Sequence, residues 1–238
     1  MRLKILAEGS TKWQRFIKHW GLSILIDNDI LFDTFGRSDY VLKQLKRFKV
    51  DVSKIKHIVI SHDDWDHVTG LWKILERNRS VTVCICPHFR PDIKAKIRRY
   101  GARIVEVEGV VNLRDNIYLS GELTGKHRDS NIPEQYLAIK TTKGIVVITG
   151  CAHPGIIEIT QHAKSAFNSN IRLLLGGFHL KDHVAKEAHD VVLKLKVLGV
   201  SQVIPFHCTG RVAQELFCKE FKRDCSIPSE GQTIEMLE

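Results

Sequence analysis

Long hydrophobic runs are missing from this sequence. No stretch is apolar over the roughly 20 residues that a membrane-spanning helix requires, so a membrane partner is not expected. Residues 1–8 have neither the long apolar run nor the small-residue cleavage site of a secretory signal, and the expected location is the cytoplasm. Cysteine is sparse and poorly spaced for a framework. There are six, Cys84, Cys86, Cys151, Cys208, Cys218 and Cys225, with no CxxC pair in 238 residues. Reduced thiols are therefore expected. Cys84 and Cys86 alternate along an apolar strand and fit a core role. Cys218 and Cys225 lie within pairing distance along the chain, which spacing does not decide. Internal repeats and low-complexity segments are also absent.

Acid is in short supply. Lysine and arginine total 36 against 27 aspartates and glutamates, a net charge of +9. The basic runs fall at 43–49, 94–99 and 219–223. The first two fit helix surfaces: Leu42, Leu45 and Phe48 face inward while Lys43, Lys46, Arg47 and Lys49 face water. Nucleic acid is thus the weaker reading of the charge, and the excess favours anionic small molecules such as phosphate esters.

Hydrophobic residues make up 43% of the chain, enough to bury a sizeable core, and a single domain over 1–238 is expected. Strands are expected at 3–7, 22–27 and 30–33, with Asn28-Asp29 as a tight hairpin turn. A helix over 39–48, a strand over 55–60, a helix over 71–77 and a strand over 81–86 follow. Pro91 opens a helix that Gly101 closes. Further strands are expected at 103–107, 117–120, 136–140 and 145–149. The last third alternates: helix 155–166, strand 171–175, helix 183–198, strand 202–204, then a helix from Arg211. Strands followed by β/α alternation, twice over, predict an α/β fold. Its expected form is a four-layer αβ/βα sandwich of two mixed sheets with helices outside. Residues 109–133, polar and glycine-containing, are expected to form a loop near the ligand.

The richest stretch is Ser61-His62-Asp63-Asp64-Trp65-Asp66-His67, with two histidines and three aspartates between positions 62 and 67. It follows an apolar strand and precedes a helix, where ligands are commonly carried. Such a cluster is costly unless a cation sits among it, and a divalent metal is the simplest candidate. In a tight loop His62, Asp64 and Asp66 project together while His67 turns to another side, which can serve two neighbouring metals. Two adjacent cations acidify a shared water and hold both oxygens of an ester undergoing displacement. Three more histidines follow buried strands: His153, with Cys151, after 145–149; His179 after 171–175; His207 after 202–204. Polar residues just past the carboxyl ends of strands gather at one sheet edge. His19, His57, His88, His162, His183 and His189 lack this context and are read as surface or helix residues. His127 belongs to the polar 121–129 segment, which is expected to approach the ligand.

On these residues the chain resembles the metallo-β-lactamase superfamily, whose signature is HxHxDH after a buried strand, over almost its full length. Glu8, Gly21-Leu22-Ser23, Leu31-Phe32-Asp33-Thr34, Thr149-Gly150-Cys151-Ala152-His153-Pro154-Gly155, Gly176-Gly177-Phe178-His179-Leu180 and His207-Cys208-Thr209-Gly210 narrow the likeness. They resemble the branch typified by 7,8-dihydropterin-6-methyl-4-(β-D-ribofuranosyl)aminobenzene 5′-phosphate synthase-like proteins. The resemblance implies that His62, Asp64 and His153 hold one metal and Asp66, His67 and His207 the other. It sets Cys151 where many superfamily hydrolases carry a bridging aspartate. His179 lines the pocket as a ligand, phosphate contact or general acid. Asp66 and His179 are then the catalytic candidates, the first orienting the nucleophile and the second stabilising developing charge. Two positions depart from the pattern. Asp64 replaces a histidine and favours harder ions such as iron or manganese, whereas a thiolate at Cys151 favours zinc. One or two divalent ions, zinc, manganese or iron, are therefore expected. The implied function is a metal-dependent hydrolase or lyase-type enzyme acting on a phosphorylated or pyrophosphorylated small molecule, pterin-like if the branch is followed. The alternatives are a nuclease or a di-iron redox protein of the same fold.

Overall fold

A computed structural model of the chain describes residues 1–127 and 130–236, His127 in its backbone alone. The His127 side chain, Arg128 and Asp129, which the sequence set near the ligand, lie outside the described residues. The described chain divides into two units: Met1–Glu108 with residues 229–236, and Gly109–Pro228.

The first unit runs β1 (Arg2–Gly9), α1 (Lys12–Phe16), β2 (Gly21–Ile26), β3 (Ile30–Phe32), α2 (Tyr40–Arg47), β4 (His57–Val59), α3 (Trp65–Val68), α4 (Leu71–Leu75), β5 (Thr82–Ile85), α5 (Pro91–Arg99) and β6 (Arg103–Glu106). The chain's last strand, which takes the number β15 (Thr233–Glu235), pairs with β1. The sheet order is β15-β1-β2-β3-β4-β5-β6. Pairing is antiparallel as far as β3 and parallel from β3 to β6. The apolar runs that predict strands are buried where they form them; β2 is buried at every position. Val41 and Leu45 of α2, Leu71, Ile74 and Leu75 of α4, and Ile93 and Ile97 of α5 share one core with Leu6, Leu25, Leu31, Ile58 and Val83. Each such side chain contributes about 1.5–3 kcal/mol by leaving water. Lys43, Lys46, Arg47 and Lys49 are exposed, as the helix-surface reading of the first basic run requires.

The second unit runs β7 (Val111–Arg114), β8 (Ile117–Leu119), β9 (Leu123–His127), β10 (Ser130–Glu134), β11 (Leu137–Thr141), β12 (Gly144–Thr149), α6 (Ile156–Phe167), β13 (Ile171–Gly177), α7 (Ala185–Val197), β14 (Gln202–Phe206) and α8 (Arg211–Phe221). Its main sheet has the order β14-β13-β12-β11-β8-β7. β12, β13 and β14 are parallel and the other pairs antiparallel. Ile159, Ala163, Val192, Leu195, Ala213 and Phe217 of the three helices share a core with Val147, Leu174 and Val203 of the strands. Two large mixed sheets with helices thus realise the expected α/β class.

The loop expected over 109–133 is corrected. β8 falls where a strand was expected at 117–120, but β7 precedes it, and Leu123–His127 pairs with Ser130–Glu134 as a two-stranded hairpin. β7 is exposed at Val111 and Asn112, and Pro133, which has no N–H, is accommodated in the hairpin opposite Thr124. β7 at the sheet edge and the β9–β10 hairpin are held by backbone pairing and need no apolar run, so hydropathy did not reveal them. Gly125 lets this hairpin approach the turn after β12, since a Cβ there would fall 2.5 Å from the His153 carbonyl carbon.

Candidate metal-binding sites

In the first unit the parallel pairing of β3 and β4 decides what meets. Phe32 lies opposite Val59, so the residues just beyond both strands emerge side by side. Asp33, wholly buried and left-handed at φ 56°, receives the Ser61 N–H at 2.7 Å and the Ser61 hydroxyl at 2.7 Å. His67 Nδ1 lies 2.7 Å from the same carboxylate. Ser61 Oγ has given its one proton to Asp33, so it accepts from His62 Nδ1, 2.8 Å away. Both imidazoles therefore spend Nδ1 on a fixed partner and present Nε2 to a ligand.

The donors converge there. His62 Nε2 is 3.8 Å from Asp64 Oδ2, and His67 Nε2 is 3.4 Å from Asp66 Oδ2. The two rings sit side by side with centroids 4.0 Å apart. Residues 65–68 form a helical turn rather than an extended loop, which sets His67 Nε2 beside Asp66. Asp63 is not part of the set: it receives the Arg90 N–H at 2.8 Å and pairs with its guanidinium. Gly21 allows β2 to pass the loop, since a Cβ there would meet the Asp66 carbonyl oxygen at 2.0 Å. Burial pushes the His67 imidazole down, but Asp33 and Asp66 outweigh it and hold its pKa well above the ordinary value. A cation bound at Nε2 would displace that proton. Two oriented imidazoles and two carboxylates fit a divalent ion.

In the second unit the parallel strands β12, β13 and β14 release their carboxyl ends at one edge, with Gly177 opposite Phe206. Glu134, at the end of β10, is the organising group. Its Oε1 receives the N–H groups of Cys151 (2.9 Å) and Ala152 (2.8 Å), and its Oε2 that of His153 (2.7 Å). His153 Nδ1 lies 2.8 Å from the same Oε2, so this ring too presents Nε2. Cys151 Sγ is 3.3 Å from His207 Nε2, and the His153 and His179 ring centroids are 4.5 Å apart. Cys151, His179 and Cys208 bring their donor atoms within 4.8 Å of one another. Burial pushes the Cys208 thiol up, but Cys151, His207 and His179 reverse this and carry it well below the ordinary value. His179 and His207 sit at φ 53° and 54°, the sparsely populated backbone that clusters at functional sites. Two thiols and three imidazoles make a softer set than the first unit's, and they too fit a divalent ion.

The structure thus gathers His62, Asp64, Asp66 and His67 within one unit, and Cys151, His153, His179 and His207 within the other. Sequence reasoning gave no role to Asp33, Glu134 or Cys208. The available signals were a charged residue closing a wholly apolar strand (Asp33) and an acid directly before the buried pair Gln135-Tyr136.

Donor-bearing loops at the carboxyl ends of parallel strands, on two mixed sheets with helices, define a class of α/β metal-binding folds. Within it, the chain belongs to the metallo-beta-lactamase superfamily, whose family model matches residues 21–207. It is 27% identical to the 7,8-dihydropterin-6-methyl-4-(beta-D-ribofuranosyl)-aminobenzene-5'-phosphate synthase of Methanocaldococcus jannaschii, over 92% of this chain and 90% of that one. The crystal structure of Tm1679, a metal-dependent hydrolase of the beta-lactamase superfamily, superposes with a TM-score of 0.80 at 27% identity, covering all of both chains. The short form of human tRNase Z gives 0.66 at 14% identity over both full chains, a likeness of fold alone. No described helix is long and apolar enough to cross a membrane.

Proposed function

We propose that the chain is a metal-dependent hydrolase or lyase-type enzyme acting on a phosphorylated or pyrophosphorylated small molecule. The observation that carries this reading is the orientation of three imidazoles by buried groups: His67 by Asp33, His153 by Glu134 and His62 by Ser61. That outlay of buried polar groups is characteristic of metal ligation. The relative from Methanocaldococcus jannaschii is named for a phosphorylated, pterin-containing product, and the +9 charge favours anionic substrates.

By the family resemblance, His62, Asp64 and His153 would hold one ion and Asp66, His67 and His207 the second, with Cys151 a further candidate ligand. When bound, these ions supply Lewis acidity and an acidified water. Asp66, whose carboxylate faces His67 Nε2, also orients the nucleophile by accepting its hydrogen bond. His179 donates to charge that develops on the substrate. Zinc, manganese and iron remain the metal candidates, because Asp64 and Cys151 pull in opposite directions.

The test joins elemental analysis of protein purified without chelator to assays on phosphate monoesters, diesters and pyrophosphates. We expect one or two divalent ions per chain and turnover of at least one class. Asp66→Asn should lower kcat by 100-fold or more, on the order expected for losing a group that acts in the transition state, with its circular dichroism unchanged. A metal-free, inactive chain, or full activity in that variant, would remove the reading. Turnover of nucleic acid alone would transfer it to the nuclease alternative.

A further inference from the structure

We propose that Cys218 and Cys225 are a redox modification site: they form a reversible disulfide that locks the carboxyl end of α8 to the edge of β14. Their sulfurs are 2.8 Å apart. Both are partly exposed, whereas Cys84, Cys86, Cys151 and Cys208 are buried, so a small oxidant reaches this pair first. Cys218 stands in the last turn of α8, and Cys225 forms a parallel bridge with Val203 of β14. The link between them is bent rather than extended. Lys222 takes φ 53° and ψ −122°, and 222–224 form a 3-10 turn. A non-glycine residue keeps such a conformation only where its surroundings enforce it, and a covalent bridge would do so. The same turn walls a surface cavity of about 440 Å³ that Lys196, Glu220 and Phe221 also line. Neither cysteine belongs to a group of three or more metal-type donors among the described residues, so the pair is suited to thiol exchange rather than to an ion.

The oxidant is a low-molecular-weight disulfide, RSSR. The Cys218 thiolate attacks one of its sulfurs, forming Cys218–S–SR and releasing RS⁻. Cys225 gives its proton to water and its sulfur attacks that of Cys218, releasing the second RS⁻. Two protein thiols are oxidised to one disulfide, and RSSR is reduced to two RSH. Burial, then the neighbouring Cys218 thiol, pushes the Cys225 thiol up. In this order Cys218 attacks and Cys225 resolves, and the 2.8 Å separation of the sulfurs allows the reverse order as well.

The test equilibrates the full chain across ratios of reduced to oxidised glutathione, alkylates free thiols and maps peptides by mass spectrometry. The expected result is a single 218–225 link, formed and reversed with the glutathione ratio. It should raise the melting temperature by roughly 5 °C, as closing a short ring implies. Cys218→Ser and Cys225→Ser should each lose both effects. The proposal is overturned if both residues remain alkylated in fully oxidised glutathione while a control dithiol oxidises. It is equally overturned if each carries glutathione without a mutual link, or if the link joins other cysteines.

Discussion

A histidine ring has two nitrogens, and the partner of one decides what the other offers. In this chain the partner is a buried carboxylate in two cases, Asp33 for His67 and Glu134 for His153. A carboxylate accepts from Nδ1–H and so leaves the Nε2 lone pair outward, which is the form a cation needs. Asp33→Asn tests this. The asparagine carbonyl oxygen can still accept from the Ser61 N–H, so the loop keeps its shape. Its amide nitrogen, however, is a donor set against Nδ1 and favours the tautomer protonated at Nε2. The metal dissociation constant should rise about 10–100-fold, measured by competition with a chromophoric chelator on protein of native circular dichroism. An unchanged constant would mean that Asp33 only supports the loop. The ligand cluster itself was legible in the sequence because its residues are contiguous. Asp33 and Glu134 were not, since each acts on groups 17 to 34 positions away, and no local pattern marks such a contact.

Elements differ in how plainly they announce themselves. β4, β12, β13 and β14 each carry an apolar run that ends in polar or glycine residues, so their place before donor loops could be read directly. α1 could not. None of its residues is buried, and Trp13 and Phe16 are 67% and 78% exposed. It is held by a capping box in which Thr11 and Gln14 satisfy each other's backbone, a local device with no hydrophobic period. β15, three residues long, was equally hidden. Its approach to β1 is fixed by Glu230, which receives the Tyr40 hydroxyl at 2.7 Å, Gln44 Nε2 at 3.0 Å and the Glu8 N–H at 3.2 Å. Burial first, then this carboxylate, raises the Tyr40 pKa from 10.0 to about 12. The folded state thus holds the phenol proton more tightly than the unfolded one. Its stabilising contribution is complete below about pH 10 and is lost as pH rises towards 12. Urea midpoints taken from about pH 9 to about pH 11 should fall more steeply for the native chain than for Tyr40→Phe. Parallel slopes would show that this tether contributes nothing to stability.

The whole chain carries +9, yet three of its aspartates sit where they repel one another. Asp64 and Asp66 share one loop with His62 and His67, and Asp33 lies buried beneath. In the absence of a cation the carboxylates repel one another, and the proton that Asp33 and Asp66 hold on His67 offsets part of that repulsion. A cation that binds the folded state and not the unfolded one stabilises it by mass action, by about 2.7 kcal/mol at a free concentration 100 times its dissociation constant. For a chain of this size that corresponds to a melting temperature higher by roughly 5–10 °C. Chelation should therefore lower the melting temperature by about that amount, and re-addition of the bound ion should restore it. Asp66→Asn, having lost one donor, should show a smaller gap between its chelated and reloaded forms. Differential scanning calorimetry of the four samples decides the matter. If native protein melts at one temperature with and without chelator, after elemental analysis confirms that the ion has left, the acidic loop holds no ion that matters to the fold.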